Sequence, residues 1–459
     1  VYEAGGRNRL TVNEVSRDPQ GRPAYGSTPA DAAVIRAIQH LKARGKRVVL
    51  YPFIMMDVTA AQGLPHPSGT GTQPDYPWRG RITATAGQSV AAEVAAFLGG
   101  ASAAQFSVSG GSVSYSGPDD GGFRRFILWM AALAKAAGGV DAFLVGTEMR
   151  GMTFATPGGG SYPFVDGLVD LAAEARSLLG AGVKISYAAD WSEYHSHRPA
   201  DGSGDVFFHL DPLWSSPNVD FVGIDNYLPL SDWRPGTDHA DWRPDGPTSP
   251  YDLDYLKGNI EGGEYWDFFY ADRAARDAQD RTPITPGPEA WVFRQKAFRD
   301  WHGNAHYDRP GGVRDATPTA WAPGSKPIWF TEIGCPAVTF GANQPNVFSA
   351  RLSSESFLPF FSDGARDDFM QRQYLRAWHE WIEDNGGAIV DRNNVQVWCW
   401  DARPWPEFPQ LTGKWVDGVD WRLGHWLNGR AGAAPLAEIA RGRIARHGLT
   451  ASDLDLSRA

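Results

Sequence analysis

Two stretches of this 459-residue chain share one grammar. Ala142-Phe143-Leu144-Val145-Gly146-Thr147-Glu148-Met149-Arg150-Gly151 and Ile328-Trp329-Phe330-Thr331-Glu332-Ile333-Gly334-Cys335-Pro336 each begin as an apolar run of strand length, reach a glutamate, and then meet a glycine. The run predicts a strand and the glycine a turn, so each carboxylate stands on a strand tip. Runs apolar on both faces suit a parallel sheet covered on both sides.

The rest of the chain reads as scaffold for those tips. Leu10 to Val15 is a candidate strand. Thr28-Pro29 opens a helix whose Val34, Ile38 and Leu41 recur on one face until Gly45 stops it, and Arg47 to Asp57 is a nearly continuous apolar strand. Gly63 to Gly87 is a Pro/Gly-rich loop holding Tyr76 and Trp78, and Ala103 to Gly117 reads as a hairpin about Gly110-Gly111. Regular alternation starts at Phe123: helix Phe123 to Ala137, strand Asp141 to Glu148, helix Tyr162 to Leu179, and strands Lys184 to Asp190 and Val219 to Asp225. A Trp/Pro/Asp-rich excursion from Leu228 to Ser325 carries helical pieces at Tyr255 to Ala278 and Pro288 to Trp301. Strand Lys326 to Glu332, helix Asp367 to Glu383, strand Val395 to Asp401 and a helix near Ala434 to Arg446 follow.

Repeated strand-then-helix units imply a parallel α/β sheet. Acidic residues collect at its strand ends: Asp57, Glu148, Asp190, Asp225, Glu332 and Asp401. An active site at the carboxyl ends of the strands suits a (β/α)8 TIM barrel, and no Gly-rich phosphate turn supports an open doubly wound sheet. The expectation is one barrel domain over residues 1–459, with insertions at about 59–120 and 228–325 and its first strand outside this chain.

Composition narrows the function. A formal net charge of -10 and the lack of any Lys/Arg block argue against nucleic acid as a partner. No run reaches the roughly 18 apolar residues of a membrane span. Val1 to Arg9 is polar, so no signal peptide is expected there. The two cysteines, Cys335 and Cys399, exclude a disulfide scaffold and are expected to be free, buried thiols. His195, His197 and His209 lack metal-ligand spacing and read as solvated loop residues; no metal and no cofactor is expected. Val108 to Ser112, VSGGS, is not a nucleophile elbow. The 19 tryptophans exceed what a core of this size requires and include candidates for stacking on sugar rings.

Paired strand-tip carboxyls are the equipment of glycoside hydrolysis, one protonated to donate to the leaving oxygen and one ionised to attack the anomeric carbon. Arg150 is a candidate for holding one carboxylate charged, and Asp190, Trp191 and Tyr194 either line the cleft or pack beneath it. GTEMRG, FTEIG and IDNY at Ile224 to Tyr227 resemble the motifs of clan A glycoside hydrolases. That resemblance implies Glu148 as acid/base, Glu332 as nucleophile, Tyr227 as a hydrogen-bond donor to the nucleophile, and Trp398 or Trp400 as a subsite floor. Asp57, Asp190, Asp225, Trp191 and Arg150 complete the expected substrate contacts. Thr147 stands where that clan commonly places an asparagine that holds the sugar 2-hydroxyl. Over most of the chain, YPFIMMDV, VDAFLVGTEMRG, YAADWSEYH, FFHLDPLW, VGIDNYLPLSDW and FTEIGCPAVTFGANQPNVF resemble the glycoside-hydrolase-like barrel of the tail-tip protein of gene transfer agents and related phage tails.

The resemblance implies a retaining glycosidase acting on an envelope polysaccharide such as peptidoglycan or a surface glycan. Its place would be the tail tip of a phage-like particle, beside other baseplate subunits. The alternative is a catalytically silent barrel with a structural or glycan-binding role.

Overall fold

The computed structural model describes residues 31–54, 71–72, 78–284, 287–348, 357–385 and 387–399. Leu10 to Val15, Asp57, Tyr76, Trp400, Asp401 and the helix at Ala434 to Arg446 lie outside them. Helix α1 (Asp31–Ala43) leads to strand β1 (Val49–Leu50). α2 (Val90–Leu98) precedes a hairpin of β2 (Phe106–Ser109) and β3 (Ser112–Tyr115), and α3 (Phe123–Ala136) and β4 (Ala142–Thr147) follow. Next come α4 (Arg150–Thr153), α5 (Pro163–Leu179), β5 (Lys184–Asp190), α6 (Asp211–Trp214) and β6 (Val222–Asn226). The excursion holds α7 (Leu253–Gly258), β7 (Phe268–Phe269), α8 (Arg273–Ala278), β8 (Thr282–Pro283) and α9 (Phe298–Gly303). β9 (Ile328–Ile333), α10 (Asp368–Asp384) and β10 (Val390–Val397) close the described chain.

The main sheet has the order β1-β4-β5-β6-β9-β10. β1–β4, β4–β5 and β5–β6 are parallel, with Val49 opposite Ala142 and Ala188 opposite Gly223. The strands follow one another across the sheet in chain order, as successive strand–helix units do. β4, β5 and β6 are buried almost throughout, as strands covered on both faces are, which suits the apolar run of β4.

The chain divides into two compact units. The first comprises residues 1–225 and 301–331. Its core joins Ala142, Leu144, Ala188, Phe221 and Trp329, with Val49 and Tyr51 packed against them. Phe221 and Trp329 stack at 3.8 Å between ring centroids. α5 starts on Pro163, whose missing N–H costs nothing in a first turn, and ends at Gly180 with φ 79°. The VSGGS stretch forms the β2–β3 turn, with Gly110 and Gly111 both at positive φ.

The second unit comprises residues 226–300 and 332–459. α10 is capped by Asp367, whose carboxylate accepts from the Met370 amide at 3.1 Å and from the Tyr251 hydroxyl at 2.6 Å. In the excursion, Lys296 is fully buried and donates to the carbonyls of Asn259 and Gly262 at 2.7 and 2.9 Å; burial pushes its amine down to about 7.

Several expectations need correction. α1 buries Ile35 and Ile38, whereas Leu41 is exposed, so the apolar face is turned by one position. α2 is an additional helix, legible in the four-residue spacing of its buried Val90, Val94 and Leu98. The helical pieces expected at Tyr255 to Ala278 are two short helices, α7 and α8, with β7 between them and its partner β8 after α8. Gly263 and Tyr265 at positive φ break the stretch, and a buried Arg276–Glu264 ion pair ties its ends. The piece at Pro288 to Trp301 is likewise a 3-10 turn over Ala290–Phe293 followed by α9. β10 begins five residues before Val395 and ends before Trp398. Cys335 is buried and free as expected, but Cys399 is exposed.

Candidate active site

In the first unit, Glu148 follows the last residue of β4 with φ 47°, a left-handed conformation that few non-glycine residues adopt. Two features impose it. The β4–β5 register shifts between Leu144 and Thr147: three steps along β4 match two along β5, from Ser186 to Ala188. A bulge of this kind bends the strand and re-aims the residue beyond it. The backbone is then held from β5, since the Glu148 amide donates to the Ala188 carbonyl at 2.8 Å and the Met149 amide to the Tyr187 hydroxyl at 2.7 Å. Gly146 accommodates the Tyr187 ring, which a Cβ at that position would meet at 3.3 Å.

Tyr187 is itself fixed. Its hydroxyl donates at 2.8 Å to Glu193, which also accepts from the Thr153 hydroxyl at 2.6 Å and the Asp190 amide at 3.0 Å. Burial raises the Glu193 carboxyl to about 8 against the pull of those donors. Asp190 is also raised, first by burial and then by the Glu148 charge, while Ser192 donates to it through its amide and its hydroxyl.

The Glu148 carboxylate is 7% exposed. Its Oε2 accepts from the Trp78 indole at 2.6 Å and faces Arg79 Nη2 at 2.9 Å. Arg79 also donates to the Thr147 carbonyl at 3.1 Å and to the Thr147 hydroxyl at 3.0 Å. The segment carrying these two residues rests on Gly151, where a Cβ would come within 2.4 Å of the Ile82 carbonyl oxygen. The glycine after GTEMR therefore admits a neighbouring backbone as well as opening a loop. Arg79, not Arg150, is the cation on Glu148.

Asp225 is fully buried and accepts hydroxyl hydrogens from Tyr51, Thr147 (3.3 Å) and Thr331 (2.7 Å). It thereby joins residues from the ends of β1, β4, β6 and β9. Thr147 serves this network and Arg79.

The second unit carries the other carboxylate. Glu332, also 7% exposed, accepts a 2.6 Å hydrogen bond from the Tyr227 hydroxyl. The Trp398 amide donates to the carbonyl of Ile333, the residue after Glu332, at 2.9 Å. Gly334 permits that approach, because a Cβ there would meet the Trp398 carbonyl oxygen at 2.8 Å. The Trp398 indole is 48% exposed, and Trp400 and Asp57 lie outside the described residues.

Tyr194 is buried edge-on against Trp301 at 5.4 Å, and Trp191 is half-buried. The histidines are not solvated loop residues. His195 and His209 are buried and His197 is half-buried: it stacks on Phe154 at 4.3 Å and bonds the Tyr162 hydroxyl through Nδ1 at 2.9 Å. Burial pushes His197 down to about 4 and His209 well below its ordinary value, with the Arg150 charge contributing to both. Sequence spacing missed them because aromatic neighbours distant in sequence bury them.

Sequence reading also missed Trp78 as a partner of Glu148, together with Arg79, Tyr187 and Glu193. The single local signal was Trp78-Arg79 inside a Pro/Gly-rich loop. Each unit thus holds one buried, strand-end glutamate with a defined aromatic hydrogen-bond donor, Trp78 for Glu148 and Tyr227 for Glu332.

A model of the GTA TIM-barrel-like domain family matches residues 122–409. Two solved structures also match: a GH113 β-1,4-mannanase at 15% identity, covering 86% of this chain and 75% of that one with a TM-score of 0.39; and the GH113 β-mannanase AaManA from Alicyclobacillus acidocaldarius in complex with ManMIm at 15% identity, covering 92% and 81% with a TM-score of 0.35. No curated protein matches the sequence.

Proposed function

Because this chain belongs to the family of GTA TIM-barrel-like domains, we propose that it is a retaining glycoside hydrolase acting on a cell-envelope polysaccharide as part of a phage-like tail tip. The observation that carries this reading is the 2.6 Å hydrogen bond from Tyr227 to Glu332, the donor and acceptor that the clan A motifs imply. A phenol donating to a carboxylate favours the ionised form and fixes the direction of its free lone pairs.

In this reading Glu332 attacks the anomeric carbon while Glu148 gives a proton to the departing glycosidic oxygen. Water then cleaves the glycosyl ester with Glu148 taking the water proton. Trp398 supplies an apolar platform beside the Glu332 strand end. Baseplate subunits and the recipient envelope are the partners that a tail-tip role entails.

One observation favours the second reading, a silent barrel that binds glycan or serves only assembly. Glu148 Oε2 is engaged by both Trp78 and Arg79, so only Oε1 is left to carry a proton to a leaving oxygen, and the contacts on Oε2 suit a purely structural carboxylate equally well. Incubation with purified peptidoglycan and surface glycans, read as new reducing ends, separates the two. Release that disappears in Glu332→Gln supports the hydrolase, and its absence with every glycan, alongside retained binding, supports the silent barrel.

A further inference from the structure

Two residues after Glu148, the Arg150 side chain is half-buried and, among the described residues, makes neither an ion pair nor a hydrogen bond; its Nε is buried without a partner. It is held instead by stacking, with its guanidinium carbon 4.5 Å from the Phe154 ring centroid. Phe154 in turn stacks on His197 and meets the His209 ring edge-on at 4.9 Å. His209 is 4% exposed, and neither of its ring nitrogens makes a hydrogen bond of good geometry, although the Phe207 carbonyl lies near enough to favour its protonated form.

A guanidinium whose Nε is buried without a partner, while its outer nitrogens stay within reach of solvent, is ready to take an anion from elsewhere. Arg79, by contrast, has its carboxylate on Glu148. Asp190 feels the Arg150 charge but forms no ion pair with it. Both histidines are pushed toward neutrality, so Arg150 is the charged member of the Arg150–Phe154–His197–His209 stack.

We propose that Arg150, with the His197 and His209 rings behind it, is a carboxylate-binding subsite, and that the glycan accepted beside Glu148 contains acidic sugars of the uronic acid class. The assignment rests on the reading of Glu148 as part of a glycan site. A planar guanidinium matches a carboxylate through two parallel N–H···O bonds, and a ring carboxylate on a sugar is a ligand of that shape.

The test measures binding of the whole chain to a panel of uronic-acid polysaccharides and to the same polymers after chemical reduction of their carboxyl groups, which preserves backbone and linkage. Wild-type protein is expected to bind at least one acidic polymer about tenfold or more tightly than its reduced counterpart. Arg150→Gln should collapse that preference, and Arg150→Lys should restore part of it. Thermal unfolding of both variants checks that they remain folded. Equal binding of acidic and reduced polymers, no binding to any acidic polymer, or a preference that survives in Arg150→Gln would overturn the proposal. Reducing-end release is read separately: acid-selective binding without turnover keeps the subsite and removes the hydrolase, whereas turnover of neutral glycans without acid preference does the reverse.

Discussion

The indole N–H of Trp78 and the carboxylate of Glu148 are 2.6 Å apart, although 70 residues separate them in the chain. The cap of a 3-10 turn over Arg79–Arg81 thus supplies a direct partner to a residue set by a strand. Trp78→Phe keeps the ring and removes the donor. A hydrogen bond to a charged group contributes about 1.5–3 kcal/mol, so kcat/KM on a cleavable glycan should fall roughly ten- to hundred-fold if this contact orients Glu148. Unchanged kinetics would show that the contact plays no part in turnover.

The two glutamates should differ in the way their loss is felt. Glu332→Gln cannot form the glycosyl ester, so turnover should drop by several orders of magnitude for every substrate. Glu148→Gln should spare substrates with activated leaving groups such as nitrophenolate, and added azide should partly rescue it. A crystal structure with a bound inhibitor should place the two carboxyls about 5–5.5 Å apart, the spacing of retaining enzymes. A separation beyond about 10 Å leaves no retaining mechanism.

Glu193 predicts a pH dependence of stability. Its folded value of about 8 lies above the ordinary 4.5 because burial disfavours its charge. The stability it contributes is therefore complete below about 4.5 and is lost as pH rises through about 8. Denaturant unfolding across that window should show a decline that Glu193→Gln, which cannot ionise, makes shallower, the remainder coming from Asp190. A parallel decline in the variant would place the titration elsewhere.

Gly151→Ala tests the seat of the Trp78–Arg79 segment. The added methyl would stand 2.4 Å from the Ile82 carbonyl oxygen, so the segment must shift. Overpacking of this kind typically costs about 1–3 kcal/mol. Urea unfolding should register that loss, and Trp78 fluorescence should move to the red as the indole leaves Glu148. An unaltered midpoint and spectrum would mean that the segment is not seated there.

The elements that local pattern determines were legible: α3, β4, α5 and β5 fall within a residue or so of where their apolar periodicity puts them. The Tyr227–Glu332 contact was reachable through motif resemblance. What local pattern cannot reveal is a partner brought by the fold. Trp78 and Arg79 sit in a stretch without periodicity, and Glu193 looks like any loop glutamate until Tyr187 and Thr153 close over it. The excursion failed for another reason. Its short helices depend on buried ion pairs such as Arg276–Glu264, whose members are close in sequence but joined through tertiary packing. The histidines misled because burial by distant aromatics leaves no trace in their neighbours.

The bulge in β4 means that the placement of Glu148 is written in a count as well as in residue identities. Removing one residue between Leu144 and Thr147 would restore an even ladder with β5, leave Thr147 opposite Ala188, and take away the bend that re-aims Glu148. Such a deletion changes no functional side chain and keeps every strand. A protein could lose or regain this carboxylate through a single-codon change in length, and alignments scored on residue type alone would record the glutamate as retained.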